Sequence, residues 1–222
     1  MSAVIRRLVA KELYLNRWLM AVGVVAGLAS AVIASQGRVG FNVGALTWLT
    51  TVIAVGIMLA LNGVVNERKE RALLFVLSLP LSPAGYVRAK LAGLGLCFLV
   101  PWAASTAAAV VLVLADADIP NGLLPYTSML SLFLLTNFAV VLCGTLLATS
   151  EAVVTATVIG TNMSVSLFMF TIVSVPGIGA HLEAVRPVWS GPVWIVLAVE
   201  LAVLGIAVVL PLIFAARRRD FV

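Results

Sequence analysis

The hydrophobic residues of this chain fall into six long blocks that short polar segments separate. The blocks cover residues 18–35, 44–65, 91–115, 125–148, 152–175 and 193–215. A helix needs about 20 mainly apolar residues to cross a bilayer, so each block predicts one membrane-spanning helix. The pattern therefore predicts an all-α fold: a polytopic membrane protein with six transmembrane helices and one membrane domain over residues 18–222.

Residues 1–17 show a different pattern, in which basic and apolar positions fall on opposite sides of a helix. The basic positions are Arg6, Arg7, Lys11 and Arg17. A helix of this kind lies in the headgroup layer of a membrane, so we predict an amphipathic interfacial helix over 1–17. Glu12 and Asn16 interrupt the apolar side, which indicates a protein contact there in addition to lipid. The simpler alternative is a helical start to the first span, with cations that reach back to the membrane surface.

Composition and charge support a membrane protein and give it an orientation. Of the 222 residues, 63% are hydrophobic and 10% are charged, whereas a soluble domain has about a quarter of its residues charged. With the amino terminus in the cytoplasm, six spans place all 14 Lys and Arg residues inside except Arg38 and Arg186. That distribution obeys the positive-inside rule, so both termini are predicted to be cytoplasmic. The net charge of +5 does not indicate nucleic-acid binding, because the basic residues are clustered between long uncharged stretches.

The longest predicted cytoplasmic segment covers residues 66–83. It opens with five consecutive charges, continues with an apolar stretch and reaches Pro80, where a helix would end. The charged residues are Glu67, Arg68, Lys69, Glu70 and Arg71. Such a helix can lie along the base of a helical bundle and dock a soluble partner. The simpler alternative, a solvated basic loop, does not explain the long apolar stretch that follows the charges.

This segment resembles the first cytoplasmic loop of the permease subunits of type-2 ABC transporters. The positions that carry the resemblance are Glu67-Arg68, Leu73, Leu77, Leu79-Pro80-Leu81-Ser82 and Lys90. Lys11-Glu12-Leu13 and Arg17, ahead of the first span, are also similar to that family. Arg71-Ala72 departs from the family's usual Gly-Thr pair, and Leu74 stands where an acidic residue is usual.

The resemblance implies a non-catalytic permease subunit of an ABC exporter in the bacterial cytoplasmic (inner) membrane. It implies that segment 66–83 is a coupling helix on which an ATPase subunit docks, with ATP and Mg bound by that subunit in two copies. A second permease subunit, as a homodimer or heterodimer, would complete the pathway for a hydrophobic or amphipathic substrate. The sequence itself contains no Gly-rich phosphate loop with Gly-Lys-Ser/Thr, so we expect this chain to bind no cofactor.

A few polar residues lie inside the predicted spans, where they are costly. Glu200 is the one ionisable residue well inside a span, and Asn137 and Asn162 are weaker pathway candidates. Each of them has packing between helices as its alternative role. A different class of function is also open: a secondary transporter driven by an ion gradient, with Glu200 as coupling carboxylate. His181 and the two cysteines have no neighbours at metal-ligand spacing, so no metal site is predicted.

Small residues in the first and fifth spans predict close helix contacts, either where two permease subunits would meet or within one bundle. They are Gly23, Gly27 and Ser30 in the first span, and Gly160 and Ser164 in the fifth. Small side chains let helix backbones approach closely, and van der Waals packing is the main attraction between helices in lipid.

Overall fold

The computed structural model describes residues 3–67 and 82–217, and helices dominate both ranges. In chain order they are α1 (Ala3–Leu15), α2 (Arg17–Ala34), α3 (Gly37–Ala60), a π-helical segment (Leu61–Asn66), α4 (Pro83–Ala115), α5 (Leu123–Leu147), α6 (Glu151–Ser174), the short α7 (Pro176–Gly179) and α8 (Gly191–Arg217). Six helices are long and apolar enough to cross a membrane: α2, α3 with the π-helical segment, α4, α5, α6 and α8. The prediction of a helical protein with six such helices is confirmed.

Helices α4 and α5 form the centre of the bundle. α4 contacts α1, α2, α3, α5 and α8, while α5 also contacts α3, α6 and α8. Between them, the rings of Phe98 and Phe138 stack with their centroids 4.0 Å apart and their planes 11° apart. Gly56 of α3 lies against this pair, since a Cβ there would be 3.2 Å from each ring. The stacked rings and the close third helix therefore fill the centre of the bundle with closely packed side chains.

The small residues of α2 pack inside this chain, which corrects part of the predicted subunit interface. A Cβ added at Gly23 would lie 3.0 Å from Cβ of Pro101, and one at Gly27 would lie 2.6 Å from Cβ of Ser105. Ser30 is buried as well. This face of α2 is therefore occupied by α3 and α4. A Cβ at Gly160 of α6, by contrast, meets no atom within 4 Å.

The connection between α2 and α3 is shorter than the sequence indicated. Only Ser35 and Gln36 separate the two helices, because Gly37 takes a positive φ of 80° that lets the chain reverse at once. Residues 37–43, which lie between the first two hydrophobic blocks, are thus helical, and the second span begins seven residues before position 44. A Cβ at Gly44 would lie 2.5 Å from the carbonyl oxygen of Ser30, so the two antiparallel helices touch at their backbones.

The second span ends in six residues of π-helix, Leu61–Asn66. Hydrogen bonds from residue i to i+5 widen the turn and rotate the following side chains relative to an α-helical continuation. Asn66 Nδ2 donates to Asn62 Oδ1 at 3.0 Å on this widened turn. Glu67 follows directly, so the π-helical segment sets the direction in which its carboxylate points.

The bundle has two distinct ends. The connections near Arg38, Asp118 and Leu182 border one cavity at what we call the far end. α1, Glu67 and the start of α4 lie together at the other, the α1 end. The loops predicted to share one side of the membrane therefore do lie together, and which side that is stays a prediction.

Candidate functional site

A cluster of opposite charges at the α1 end is centred on Lys90 of α4. Its ammonium Nζ lies 2.6 Å from Glu12 Oε1 of α1 and 2.7 Å from Glu67 Oε2 at the end of the second span. The Lys90 and Glu12 side chains are each only 4% exposed, and that of Glu67 is 12% exposed. One buried cation thus joins two carboxylates that come from different helices.

Lys11 completes what we call the charge cluster: Lys11, Glu12, Glu67 and Lys90. Its Nζ donates to Glu67 Oε1 at 2.9 Å, and its side chain is 42% exposed. The hydroxyl of Tyr86 also donates to Glu67 Oε2, at 3.3 Å. Burial alone would raise the pKa of the Glu67 carboxyl, but the hydrogen bonds and positive charges of Lys90 and Lys11 hold this pKa below its ordinary value.

The local sequence explains how α1 and α4 come close enough for these bonds. Gly93 lies one turn after Lys90, and a Cβ there would be 2.8 Å from Glu12 Cγ and 2.9 Å from Glu12 Cβ. Glycine therefore leaves the space that the Glu12 side chain fills. Asn16 Nδ2 bonds the backbone carbonyl of Glu12 at 3.0 Å, and Val9 is buried on the same helix. The interruption of the apolar side of α1 by Glu12 and Asn16 is thus confirmed as a contact with protein.

The charge cluster contains two ammonium groups and two carboxylates. Burying charged groups is costly, and mutual pairing offsets the cost only when every member keeps its partner. Removing one partner from a buried pair costs about 3–5 kcal/mol, whereas an exposed pair contributes about 0–1 kcal/mol. Lys90 is therefore the member of the cluster that holds α1 and the end of the second span against α4. Lys11 is partly exposed and contributes less to this contact.

The other basic residues predicted for the interfacial helix lie away from the charge cluster. Arg6 and Arg7 are exposed. The guanidinium of Arg17 lies 4.3 Å from the Tyr14 ring centroid and 5.7 Å from that of Trp18, and both rings are exposed. Aromatic and basic side chains of this kind are typical of a membrane interface. Residues 3–15 form the predicted helix, packed against α4, and its position in the headgroup layer stays a prediction.

Two of the predicted docking residues fall within the described ranges. Glu67 belongs to the charge cluster, and Ser82 caps α4, since its Oγ accepts a hydrogen bond from the Gly85 amide at 3.1 Å. The remaining predicted docking residues lie outside the described residues: Arg68, Lys69, Glu70, Arg71, Leu73, Leu77, Leu79 and Pro80.

Within the described ranges, the side chains of the three predicted pathway residues form no hydrogen bond with one another. Asn137 Nδ2 donates to the carbonyl of Thr161 at 3.0 Å and so links α5 to α6, while Asn162 Nδ2 bonds the carbonyl of Val158 in its own helix at 2.8 Å. Glu200 is buried, and neither of its carboxyl oxygens has a hydrogen-bond partner among the described residues. Both asparagines therefore bond helix backbones, and the hydroxyl Oγ1 of Thr136, the neighbour of Asn137 in the chain, donates to the carbonyl of Glu200 at 3.4 Å.

Sequence reasoning identified Lys90 as a position in the resemblance but not as the centre of a buried cluster. A lone lysine at the start of an apolar span was the available signal, because an unpaired charge at that depth is costly and indicates a nearby acid. Two acids, Glu12 and Glu67, also flank predicted spans. Only the packing of α1 against α4 in the structure shows that Lys90 pairs with both acids.

Comparisons with protein-family models and with curated proteins find no match to this chain.

Proposed function

We propose that this chain is the membrane-spanning permease subunit of an ATP-driven ABC exporter. It forms a translocation pathway for a hydrophobic or amphipathic substrate, and a separate ATPase subunit supplies the energy. The observation that carries the proposal is the position of Lys90, which bonds both Glu12 and Glu67 at the end of the bundle where segment 66–83 begins.

That position supports a mechanical role for the charge cluster. Segment 66–83, where the partner subunit would dock, starts at the end of the second span and ends at the beginning of α4, which Ser82 caps. A displacement of the segment would reach α1 and α4 through Glu67 and Lys90, because buried ion pairs resist separation. Two spans and the amino-terminal helix would then move as one unit relative to the rest of the bundle. A second permease subunit supplies the other half of the pathway.

The experiment that tests this proposal measures both association with an ATPase and transport. The tagged chain is purified from its native host, and a co-purifying subunit with a phosphate-binding loop is identified and reconstituted with it in vesicles. Two double variants test the segment: the charge reversal R68E/R71E and the pair L77D/L79D. Each is expected to reduce ATP-dependent export more than tenfold, while the chain still inserts into the membrane.

The matched control is Arg186→Glu, a charge reversal in the exposed connection at the far end. It is expected to leave ATPase association and transport unchanged. Full association and export by R68E/R71E and L77D/L79D would contradict the proposal, as would purification of the active transporter without any ATPase.

A second candidate function is a secondary transporter, and the burial of Glu200 favours it. Its carboxyl group is buried and has no hydrogen-bond partner in the part of the chain that the structure describes, which is costly unless the group holds a proton or a cation. Ion coupling through Glu200 predicts transport that an ionophore abolishes and that Glu200→Gln uncouples from the ion gradient. ATP-dependent transport that an ionophore does not affect excludes this candidate.

A further inference from the structure

Two adjoining cavities at the far end of the bundle differ sharply in the chemistry of their walls. The inner cavity, of about 240 Å³, lies among the ends of α2 and α4 and the starts of α3 and α5. Its walls are mainly apolar and include Trp48, Leu49, Leu112 and Leu130. An apolar cavity of about 150 Å³ already binds benzene, so this one has room for a somewhat larger apolar group.

The outer cavity, of about 610 Å³, is bordered by the connections at this end of the bundle. Both cavities are lined by Ala34, Phe41 and Leu123, so the two cavities adjoin at these residues. The charged groups on the wall of the outer cavity are Arg38, Asp116, Asp118 and Glu183. Three carboxylates against one guanidinium give this wall a net negative charge.

The rim of the outer cavity is held by backbone contacts. The amide of Gly122 donates to the carbonyl of Ala184 at 2.8 Å, and this bond fixes the α4–α5 connection against the connection that precedes α8. A Cβ at Gly122 would overlap the carbonyl oxygen of His181, so glycine permits the close approach. The amide of Asp118 donates to Asp116 Oδ1 at 3.0 Å, which orders the acidic turn. A rim ordered before binding lowers the entropic cost of taking up a ligand.

We propose that the two cavities form one binding site for an amphipathic cation, whose apolar body fills the inner cavity and whose positive head lies in the outer one. Phe41 lines both cavities where they adjoin, and an aromatic ring there can contact a quaternary ammonium through its face. The excess of carboxylates over the single Arg38 excludes an anionic head by repulsion. The site lies within one chain and at the end opposite the charge cluster, so binding requires neither an ATPase nor a second copy.

The test measures binding of (3-phenylpropyl)trimethylammonium to the purified chain in lipid nanodiscs by calorimetry, with empty nanodiscs as the background. The matched probe is its neutral isostere, in which a tert-butyl group replaces the trimethylammonium head. We expect saturable binding of the cation at one site per chain, about tenfold tighter than binding of the neutral isostere. 3-Phenylpropanesulfonate, with the same body and an anionic head, is expected not to bind.

Variants of the wall residues test whether the cation binds in these two cavities. Asp118→Asn and Glu183→Gln are each expected to weaken cation binding about two- to fivefold, the range for single exposed charge pairs, and Arg38→Gln is expected to strengthen it. Ala109→Leu fills the inner cavity and should weaken the binding of the cation and of the neutral isostere alike. Ala107→Leu, at an exposed position on the same helix, is its control and should change neither.

Equal affinity for the cation and the neutral isostere overturns the proposal, as does binding that none of the wall variants changes. Failure of the cation to bind, combined with a phospholipid that stays with the chain through detergent exchange and is lost in Ala109→Leu, assigns the cavities to lipid and also overturns it. Asp118→Asn and Glu183→Gln change residues in exposed connections, so these two variants still test the proposal if Ala109→Leu fails to fold.

Discussion

The ammonium of Lys90 lies 2.6 Å from the carboxylate of Glu12, although the two residues are 78 positions apart in the chain. Both side chains are almost completely buried. A bond of this kind makes the amino-terminal helix part of the folded bundle and gives it a fixed position on α4. The same ammonium bonds Glu67, so the start of segment 66–83 is fixed by the same residue.

Replacing Lys90 with Met is expected to destabilise the protein by about 3–5 kcal/mol, because two carboxylates would lose their buried counter-charge. The measurement is thermal unfolding in detergent followed by helical circular dichroism. The combined variant Glu12→Gln/Lys90→Met should recover part of the loss, since it removes one uncompensated charge. Lys11→Met is the control, and because that lysine is partly exposed it should cost less than about 1 kcal/mol. Equal losses for Lys90→Met and Lys11→Met would contradict the central position of Lys90.

Acid is expected to weaken the contact between Glu67 and its lysines. The folded protein holds the pKa of Glu67 below its ordinary value of 4.5. The contribution of this group to stability is therefore complete well above pH 4.5 and is lost as the pH falls through the lower folded value. Unfolding measured between pH 7 and pH 3 should show a smaller acid loss in Glu67→Gln than in the unaltered chain. An identical acid dependence of the two proteins would show that Glu67 does not carry this effect.

Two glycines of α4 give a matched test of the contact between α1 and α4. Gly93→Ala is expected to destabilise the protein by about 1–3 kcal/mol, because the added methyl group would press on the Glu12 side chain. A Cβ at Gly95 meets no atom within 4 Å. Gly95→Ala should therefore be neutral or slightly stabilising through its better helix propensity. The two variants are compared by thermal unfolding in the same detergent, and a reversed order would be inconsistent with the packing described.

Disulfide crosslinking in membranes distinguishes the two predicted parts of the subunit interface. Gly160→Cys lies on an open face of α6 and is expected to give a crosslinked dimer. Gly27→Cys lies against Ser105 inside the chain and is expected to give none. A crosslink at Gly160 only when a related permease is co-expressed would replace the homodimer with a heterodimer. Dimers through Gly27→Cys would refute the intramolecular packing of α2.

The side of the membrane on which the far end lies can be tested with single cysteines at Arg38, Asp118 and His181. Each is expected to react with an impermeant thiol reagent in intact cells, as the distribution of positive charge predicts. The natural cysteines, Cys97 and Cys143, are both buried, so the unaltered chain serves as the control and should react little. Labelling at Asp118 only after permeabilisation would reverse the orientation.

The sequence alone was sufficient to predict the six spans, because a run of apolar residues long enough to cross a bilayer has few other stable conformations. It was also sufficient to predict that Glu12 and Asn16 contact protein, since polar groups on the apolar side of an amphipathic helix need partners. One of its errors concerned the backbone. The start of the second span was placed at position 44, because the sequence does not show that Gly37 adopts a positive φ and lets the helix begin there.

Only the tertiary structure decided which residues meet across long distances in the chain. Periodicity places Gly23 and Gly27 on one face of α2 but does not reveal whether that face meets another helix of the same chain or a second copy; the packing against Pro101 and Ser105 does. In the same way, Glu12, Glu67 and Lys90 each look like membrane-surface charges in the sequence. They form one buried cluster because Gly93 admits Glu12 and the π-helical turn ends just before Glu67, and neither effect leaves a signal in the hydrophobic pattern.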